Sequence, residues 1–124
     1  MRGVFLFAYG TLQDDAVQRR VFGRRIAARP AQLRGWRIVA NQVRDRYPGV
    51  ARQAGGATRG GLPALRTGEL ARADRYEDAP RLYRRIRVVA RSGRGSVRCW
   101  VYVPNDTIRA GVARRGRARL AARS

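Results

Sequence analysis

The feature that most constrains the fold is a change of period near residue 83. Ile86 and Val88 alternate with Arg85 and Arg87, and after Ser92-Gly93-Arg94-Gly95 the residues Val97, Cys99, Val101 and Val103 alternate with Arg98, Trp100 and Tyr102. Period-two alternation on both sides of a glycine-bearing turn predicts a β-hairpin with one apolar face. A hairpin of this length needs a partner layer for that face, so the other elements must supply a sheet and its cover.

Upstream, residues 3–9 (GVFLFAY) are continuously apolar and aromatic, as expected of a strand covered on both faces. Beyond Tyr9-Gly10-Thr11-Leu12 the chain turns polar. Asp14 or Asp15 can cap a short helix carrying Val17, Val21 and Phe22, with Gly23 as its stop. Gly35–Val39 reads as a second strand, Tyr47-Pro48-Gly49 as a turn, and 51–61 as a small-residue loop. Leu62–Leu65 reads as a short strand that Pro63 pushes to an edge or bulge. Thr67 can cap a helix running through Glu69, Leu70, Asp74 and Glu77. Several strands with two short helices predict an α+β fold, the sheet curled into a small mixed β-barrel. The expected domain is residues 1–108, followed by a basic, flexible tail at 109–124.

Composition narrows the chemistry. The formal net charge is +20, and all 28 basic residues are arginine, with no lysine and no histidine. Total replacement of lysine by arginine reads as compositional bias rather than selected nucleic-acid binding, so only weak, nonspecific polyanion binding is expected. Without histidine there is no Ser-His-Asp triad, no Cys-His pair and no histidine zinc site. Cys99 is the single cysteine, which excludes an internal disulfide and a cysteine metal cluster and suggests a reducing compartment. No cofactor or metal is expected. Val4–Ala8 is too short for a signal-peptide core and no apolar stretch approaches a membrane span, so a cytoplasmic protein without membrane association is expected.

The acidic inventory is two glutamates and six aspartates. Asp14, Asp15 and Glu69 fall at helix starts, where capping and dipole roles account for them. Leu70, Asp74 and Glu77 stand at i, i+4 and i+7, on one helix face with an apolar member. A carboxylate facing the interior near a helix C-terminus tends toward a raised pKa, as a base working near neutrality requires. The residues alone leave Glu77 open between that role and an ordinary ion pair. They leave the 9–12 turn open between a plain connection and a backbone-amide cradle.

Tyr9-Gly10-Thr11-Leu12, Tyr47-Pro48, and ADRYEDAPRLYRR at 73–85 together resemble the gamma-glutamylcyclotransferase-like superfamily, closest to its gamma-glutamylamine cyclotransferase branch. The resemblance spans roughly residues 4–103. It implies cyclisation of a small gamma-glutamyl amine or peptide to 5-oxoproline, with release of the amine. It makes Glu77 the general acid/base and gives Tyr9, Gly10, Thr11 and Leu12 to the glutamyl moiety, with Tyr83 lining the pocket and Arg85 an ion-pair partner. Two residues depart from the family pattern: Ala73, where the family usually has leucine, is expected to weaken packing below the catalytic helix, and Pro63 to interrupt what is normally a regular strand. The competing reading is a noncatalytic small-ligand or RNA-binding domain on the same scaffold, with Trp36, Trp100 and Tyr102 as stacking platforms.

Overall fold

The hairpin forms as the alternation predicts. In the computed structural model, which describes residues 3–43, 47–79 and 81–105, β4 (Tyr83–Ser92) and β5 (Gly95–Pro104) pair in unbroken antiparallel register from Tyr83↔Pro104 to Ser92↔Gly95. Gly93 has φ +59° at the first central position of the two-residue turn, a conformation that favours glycine. Val97, Cys99, Val101 and Val103 point into one apolar cluster with Phe7, Leu33, Trp36, Val50 and Leu62. The opposite face is also covered at its far end. Tyr83 and Tyr102 join Leu6, Ala8, Leu12, Phe22, Leu65, Leu70 and Ala73 in a second cluster beneath the helices.

The N-terminal segment divides its side chains and its hydrogen bonds between two neighbours. Only Val4–Phe5 forms a regular strand, β1, pairing with Leu65 and Ala64. Beyond it, Leu6 donates to the Pro63 carbonyl (3.1 Å) and Ala8 to that of Gly61 (2.9 Å), while Phe7 donates to the Trp100 carbonyl (2.7 Å) on the other side. The expected continuous strand over 3–9 is therefore interrupted, and Pro63 supplies the reason. It accepts from Leu6 but has no N–H to return.

Two long strands replace what the sequence suggested was mostly loop. β2 (Ala28–Val43) and β3 (Tyr47–Leu65) pair antiparallel from Ala28↔Pro63 to Val43↔Tyr47. The 51–61 stretch is thus strand, as are Tyr47, Pro48 and Gly49, and Pro63 lies in a strand flanked on both sides. Poor β-propensity is overridden by the ladder that β2 provides. The register shifts between Arg34 and Trp36, where Gly35 (φ +85°) and Gly55 (φ +77°) let the pair bend.

The five strands form one antiparallel sheet of order β1-β3-β2-β4-β5. β2 meets β4 through the single register pair Gln32↔Arg91, and a parallel bridge joins Leu6 to Trp100. The fold is α+β as expected. The curled sheet is drawn together by isolated bridges, without a continuous closing ladder.

The helices tie into this frame. α1 (Asp15–Phe22) is capped by Asp14, whose carboxylate accepts from the N–H groups of Ala16 (2.8 Å) and Val17 (3.4 Å), and it ends at Gly23. α2 (Thr67–Tyr76) starts one residue earlier than the expected Thr67 cap. Arg66 is the flanking residue, and its backbone N–H donates to Glu69 (2.9 Å). Glu69 also receives a two-pronged bond from Arg24 (2.7 and 2.8 Å), joining the end of α1 to α2. Ala73 is fully buried in the cluster below the helices. Asp45, Asp106, the 108/109 boundary and the 109–124 tail lie outside the described residues, and no helix among those described is long and apolar enough to cross a membrane.

The close crossing of β3 by the N-terminal segment gives a test. A Cβ at Gly60 would collide with the Ala8 carbonyl oxygen and stand 2.8 Å from Phe7 Cζ, whereas one at Gly68 in α2 meets nothing within 4 Å. Gly60→Ala is expected to lower stability by about 2–3 kcal/mol and Gly68→Ala to raise it by about 0.5–1 kcal/mol, read from urea unfolding midpoints. Equal midpoints for the two variants would show that the crossing is loose.

Candidate active site

The crossing ends in the 9–12 turn, and there the chain faces the last turn of α2. Between them lies a cavity of about 200 Å³, walled also by the start of β3 and by the hairpin. Tyr9, Gly10, Thr11, Leu12, Glu77 and Tyr83, all singled out from the sequence, line this one cavity. It is smaller than the roughly 300–1,000 Å³ pockets typical of drug-sized ligands, so it suits a small ligand.

Glu77 follows α2 as its flanking residue, with φ −81° and ψ −2°, and its N–H still donates to the Ala73 carbonyl (2.9 Å). Its side chain therefore continues the helix face that carries Leu70 and Asp74. Half-buried by area because the cavity reaches it, the carboxyl is nevertheless surrounded by protein. This desolvation pushes its pKa up to about 7. Every other described carboxylate has a partner: Asp14 its cap amides, Asp15 Arg25, Glu69 Arg24, Asp74 Arg85, and Asp78 Arg81. Among the described residues, no hydrogen bond or ion pair reaches the Glu77 carboxylate.

The opposing turn is a 3-10 turn at Thr11–Gln13. The N–H groups of Gln13 and Asp14 donate back to Gly10 and Thr11 (3.1 and 2.9 Å). Those of Gly10, Thr11 and Leu12 precede the first internal acceptor and are left, as at any helical start, for another partner. The two aspartates that follow do not oppose an anion here. Asp14 is turned into its cap, Asp15 pairs with Arg25, and neither lines the cavity. Space alone does not demand glycine at position 10. Its φ of −116° lies outside the left-handed region, and a Cβ would meet only Pro48 Cγ, at 3.8 Å.

Tyrosines and apolar side chains form the remaining wall. Tyr9 donates its hydroxyl to the Tyr102 carbonyl (2.6 Å) and Tyr83 donates to that of Pro48 (2.6 Å). Tyr76 and Thr11 share a hydroxyl–hydroxyl bond (2.7 Å) across the rim. Burial raises the pKa of Tyr9, Tyr83 and Tyr102, so all three stay neutral. Among the described residues, no arginine lines the cavity. Tyr76, Leu82 and Tyr102 are lining residues that the sequence reading did not assign to the pocket. Tyr76 adjoins Glu77, which is a usable signal, whereas Tyr102 stood in the outward phase of the hairpin. Arg85 pairs with Asp74, and no group of three or more acidic or sulfur side chains among the described residues could hold a metal. The proposed stacking platforms are differently engaged. Trp36 and Tyr102 are buried, and Trp100 lies under the guanidinium groups of Arg85 (4.5 Å) and Arg87 (4.3 Å).

Fold and cavity together define a small α+β domain that, among the described residues, presents one unpaired carboxylate to a pocket walled by tyrosines and apolar side chains. Residues 6–120 match the family described as gamma-glutamyl cyclotransferase, AIG2-like, and the chain belongs to that family. Solved structures share its fold. A protein from Arabidopsis thaliana superposes with a TM-score of 0.75 at 22% identity, over 86% of this chain and 64% of that one. An AIG2-like protein from Mus musculus gives 0.69 at 21%, over 83% and 78%. A gamma-glutamyl cyclotransferase gives 0.71 at 16%, over 83% and 67%. The chain thus spans less than two thirds of the Arabidopsis protein's length. Among curated protein sequences no match was found.

Glu77 carries a stability signature that needs no substrate. Its folded pKa of about 7 exceeds its ordinary 4.5, so the folded state holds the proton more tightly than the unfolded chain. Ionisation then weakens folding progressively from pH 4.5 to 7 and fully above that range. Glu77→Gln removes the ionisation, so it should stabilise the protein by about 2–3 kcal/mol at pH 8 and by almost nothing below pH 4.5. Denaturation curves at the two pH values measure this, and a pH-independent difference would mean that Glu77 is not desolvated.

Proposed function

We propose that this chain cyclises a small gamma-glutamyl amine or peptide, giving 5-oxoproline and the free amine, with Glu77 as general acid/base. The observation that carries this reading is the position of Glu77. An unpaired, desolvated carboxyl shares one small cavity with the start of the 3-10 turn.

The reaction makes few demands on the protein. The substrate's α-ammonium gives a proton to the Glu77 carboxylate, and the freed amine attacks its own γ-carbonyl carbon. The tetrahedral adduct breaks its bond to the leaving nitrogen as Glu77 returns the proton to that nitrogen. Glu77 then passes the second proton of the attacking nitrogen to the released amine, leaving a neutral lactam and an alkylammonium ion. Atoms and charge balance without a metal, a redox group or a covalent intermediate. Folding the substrate so that amine and carbonyl meet supplies much of the rate, because effective molarities of held intramolecular reactions are on the order of 10⁵ M or more. In this reading the free N–H groups of Gly10, Thr11 and Leu12 hold the substrate carboxylate, Tyr83 closes the wall, and the small cavity keeps the chain bent. A base with a pKa near the working pH combines ionisation with the ability to return the proton.

Glu77→Gln is expected to lower 5-oxoproline formation by roughly 10²–10⁴-fold in a protein that remains folded. For the parent, kcat/KM should rise with pH through about 7 as Glu77 ionises. Full turnover by the variant would remove Glu77 from the mechanism.

Gly10 separates binding from folding. Gly10→Val should weaken 5-oxoproline binding, measured by calorimetry, more than it lowers the unfolding midpoint, since a Cβ there meets only Pro48 Cγ at 3.8 Å. Unchanged affinity would return the 9–12 turn to a plain connection.

A further inference from the structure

One charged cluster touches the active-site wall from behind and takes no part in the chemistry above. Asp74 lies one helical turn before Glu77 on the same face of α2. It receives a two-pronged bond from Arg85 on β4 (2.6 and 2.9 Å) and the hydroxyl of Tyr102 on β5 (2.7 Å). Tyr102 in turn accepts, at its carbonyl, the hydroxyl of Tyr9 from the N-terminal segment (2.6 Å). Four elements of the cavity wall are thus linked through one carboxylate. Neither Asp74 nor Arg85 lines the cavity.

We propose that Asp74 and Arg85 are positioning residues for Glu77: the pair fixes the Tyr102–Tyr9 wall and cancels the negative charge one helical turn from the catalytic carboxyl. The inference rests on the reading of Glu77 given above. Side chains at i and i+3 of a helix are neighbours, with Cβ atoms about 5–6 Å apart. An uncompensated Asp74 would therefore repel charge on Glu77, and an uncompensated Arg85 would attract it. Among the described residues, the other titratable groups sharing the cavity are tyrosines: Tyr9 from the N-terminal segment, Tyr47 from β3, Tyr76 from α2, Tyr83 from β4 and Tyr102 from β5. Burial raises the pKa of Tyr9, Tyr83 and Tyr102, so these three bring no competing charge. The neighbouring Asp78 is already paired with Arg81 (2.6 Å). Asp74 itself keeps a lowered pKa: burial would raise it, and the bonds from Arg85 and Tyr102 more than offset this. Arg85 is further held over the Trp100 ring at 4.5 Å.

The chain has only two glutamates, so protein labelled with ¹³C at the glutamate carboxyl shows two titrating signals. Glu69 serves as internal reference for the fold, because Arg24 and the Arg66 N–H hold its pKa down at about 2 despite burial. Arg85→Gln is expected to raise the Glu77 midpoint by about one unit, and Asp74→Asn to lower it by a similar amount. The double variant should return close to the parent. Shifts of the same sign in the two single variants, or none while Glu69 stays native, would overturn the proposal.

If a single variant loses the fold, which Glu69 reports by moving to an ordinary midpoint, Arg85→Lys decides. It keeps the charge without the fork and should leave the Glu77 midpoint in place, whereas a shift would count against charge cancellation. The titration needs no substrate. A native protein with these midpoints but without 5-oxoproline release would refute the proposed reaction and leave the electrostatic coupling standing.

Discussion

The backbone of Leu6, Phe7 and Ala8 is the constraint on which the rest of the structure hangs. Its N–H groups donate alternately to β3 and β5, so one short segment ties the two flanks of the sheet together. The same alternation sends Leu6 and Ala8 into the cluster beneath the helices and Phe7 into the cluster inside the curl. Two apolar layers therefore meet along one extended run. This requires close approach of backbones, and glycine at 60 permits it. The position of the 9–12 turn is a consequence. Once the segment is fixed on both sides, its end can only open opposite the last turn of α2.

What the sequence made legible follows from how local each signal is. The hairpin needs only its own alternation and a glycine turn, and it formed in the expected register. Asp14 and Gly23 bound α1 by local capping chemistry, and Glu77 falls on its helix face by simple spacing. The 51–61 stretch was misread because strand formation there has no local origin. AlaArgGlnAlaGlyGly carries little β-propensity, and the ladder is imposed by β2, some twenty residues upstream. Tyr102 was hidden for a related reason. Its phase in the hairpin is nominally outward, but at that end the outward face meets the helix layer, which alternation alone cannot show.

Ala73 and Pro63, the two departures from the family pattern, fit without visible damage. Ala73 is fully buried among Leu70, Tyr83 and Tyr102, so the small side chain lets α2 sit close to the sheet. Pro63 forfeits one ladder bond, and the loss falls where the N-terminal segment already divides its bonding between two strands. Both residues belong to the crossing and the layer above it. They therefore bear on how closely the two cavity walls approach, while the identity of the groups facing one another is set by the 9–12 turn and Glu77.

Charge distribution gives the arrangement its chemical sense. A protein with 28 arginines offers a cation to almost any carboxylate, and Asp15, Glu69, Asp74 and Asp78 each take one. Keeping Glu77 unpaired thus requires active exclusion, and the tyrosine wall performs it. Four of its rings occupy the space while their hydroxyls are engaged with Pro48, Tyr102, Asp74 and Thr11. Those hydroxyls are consequently bound to fixed partners and leave the carboxyl to burial alone. An ion pair at Glu77 would stabilise the fold and pull its pKa down toward the ordinary carboxylate range, where it would be too weak a base. Leaving it desolvated and alone weakens the folded state above neutral pH and preserves its basicity, an exchange of stability for function that matches the proton-transfer role proposed for it.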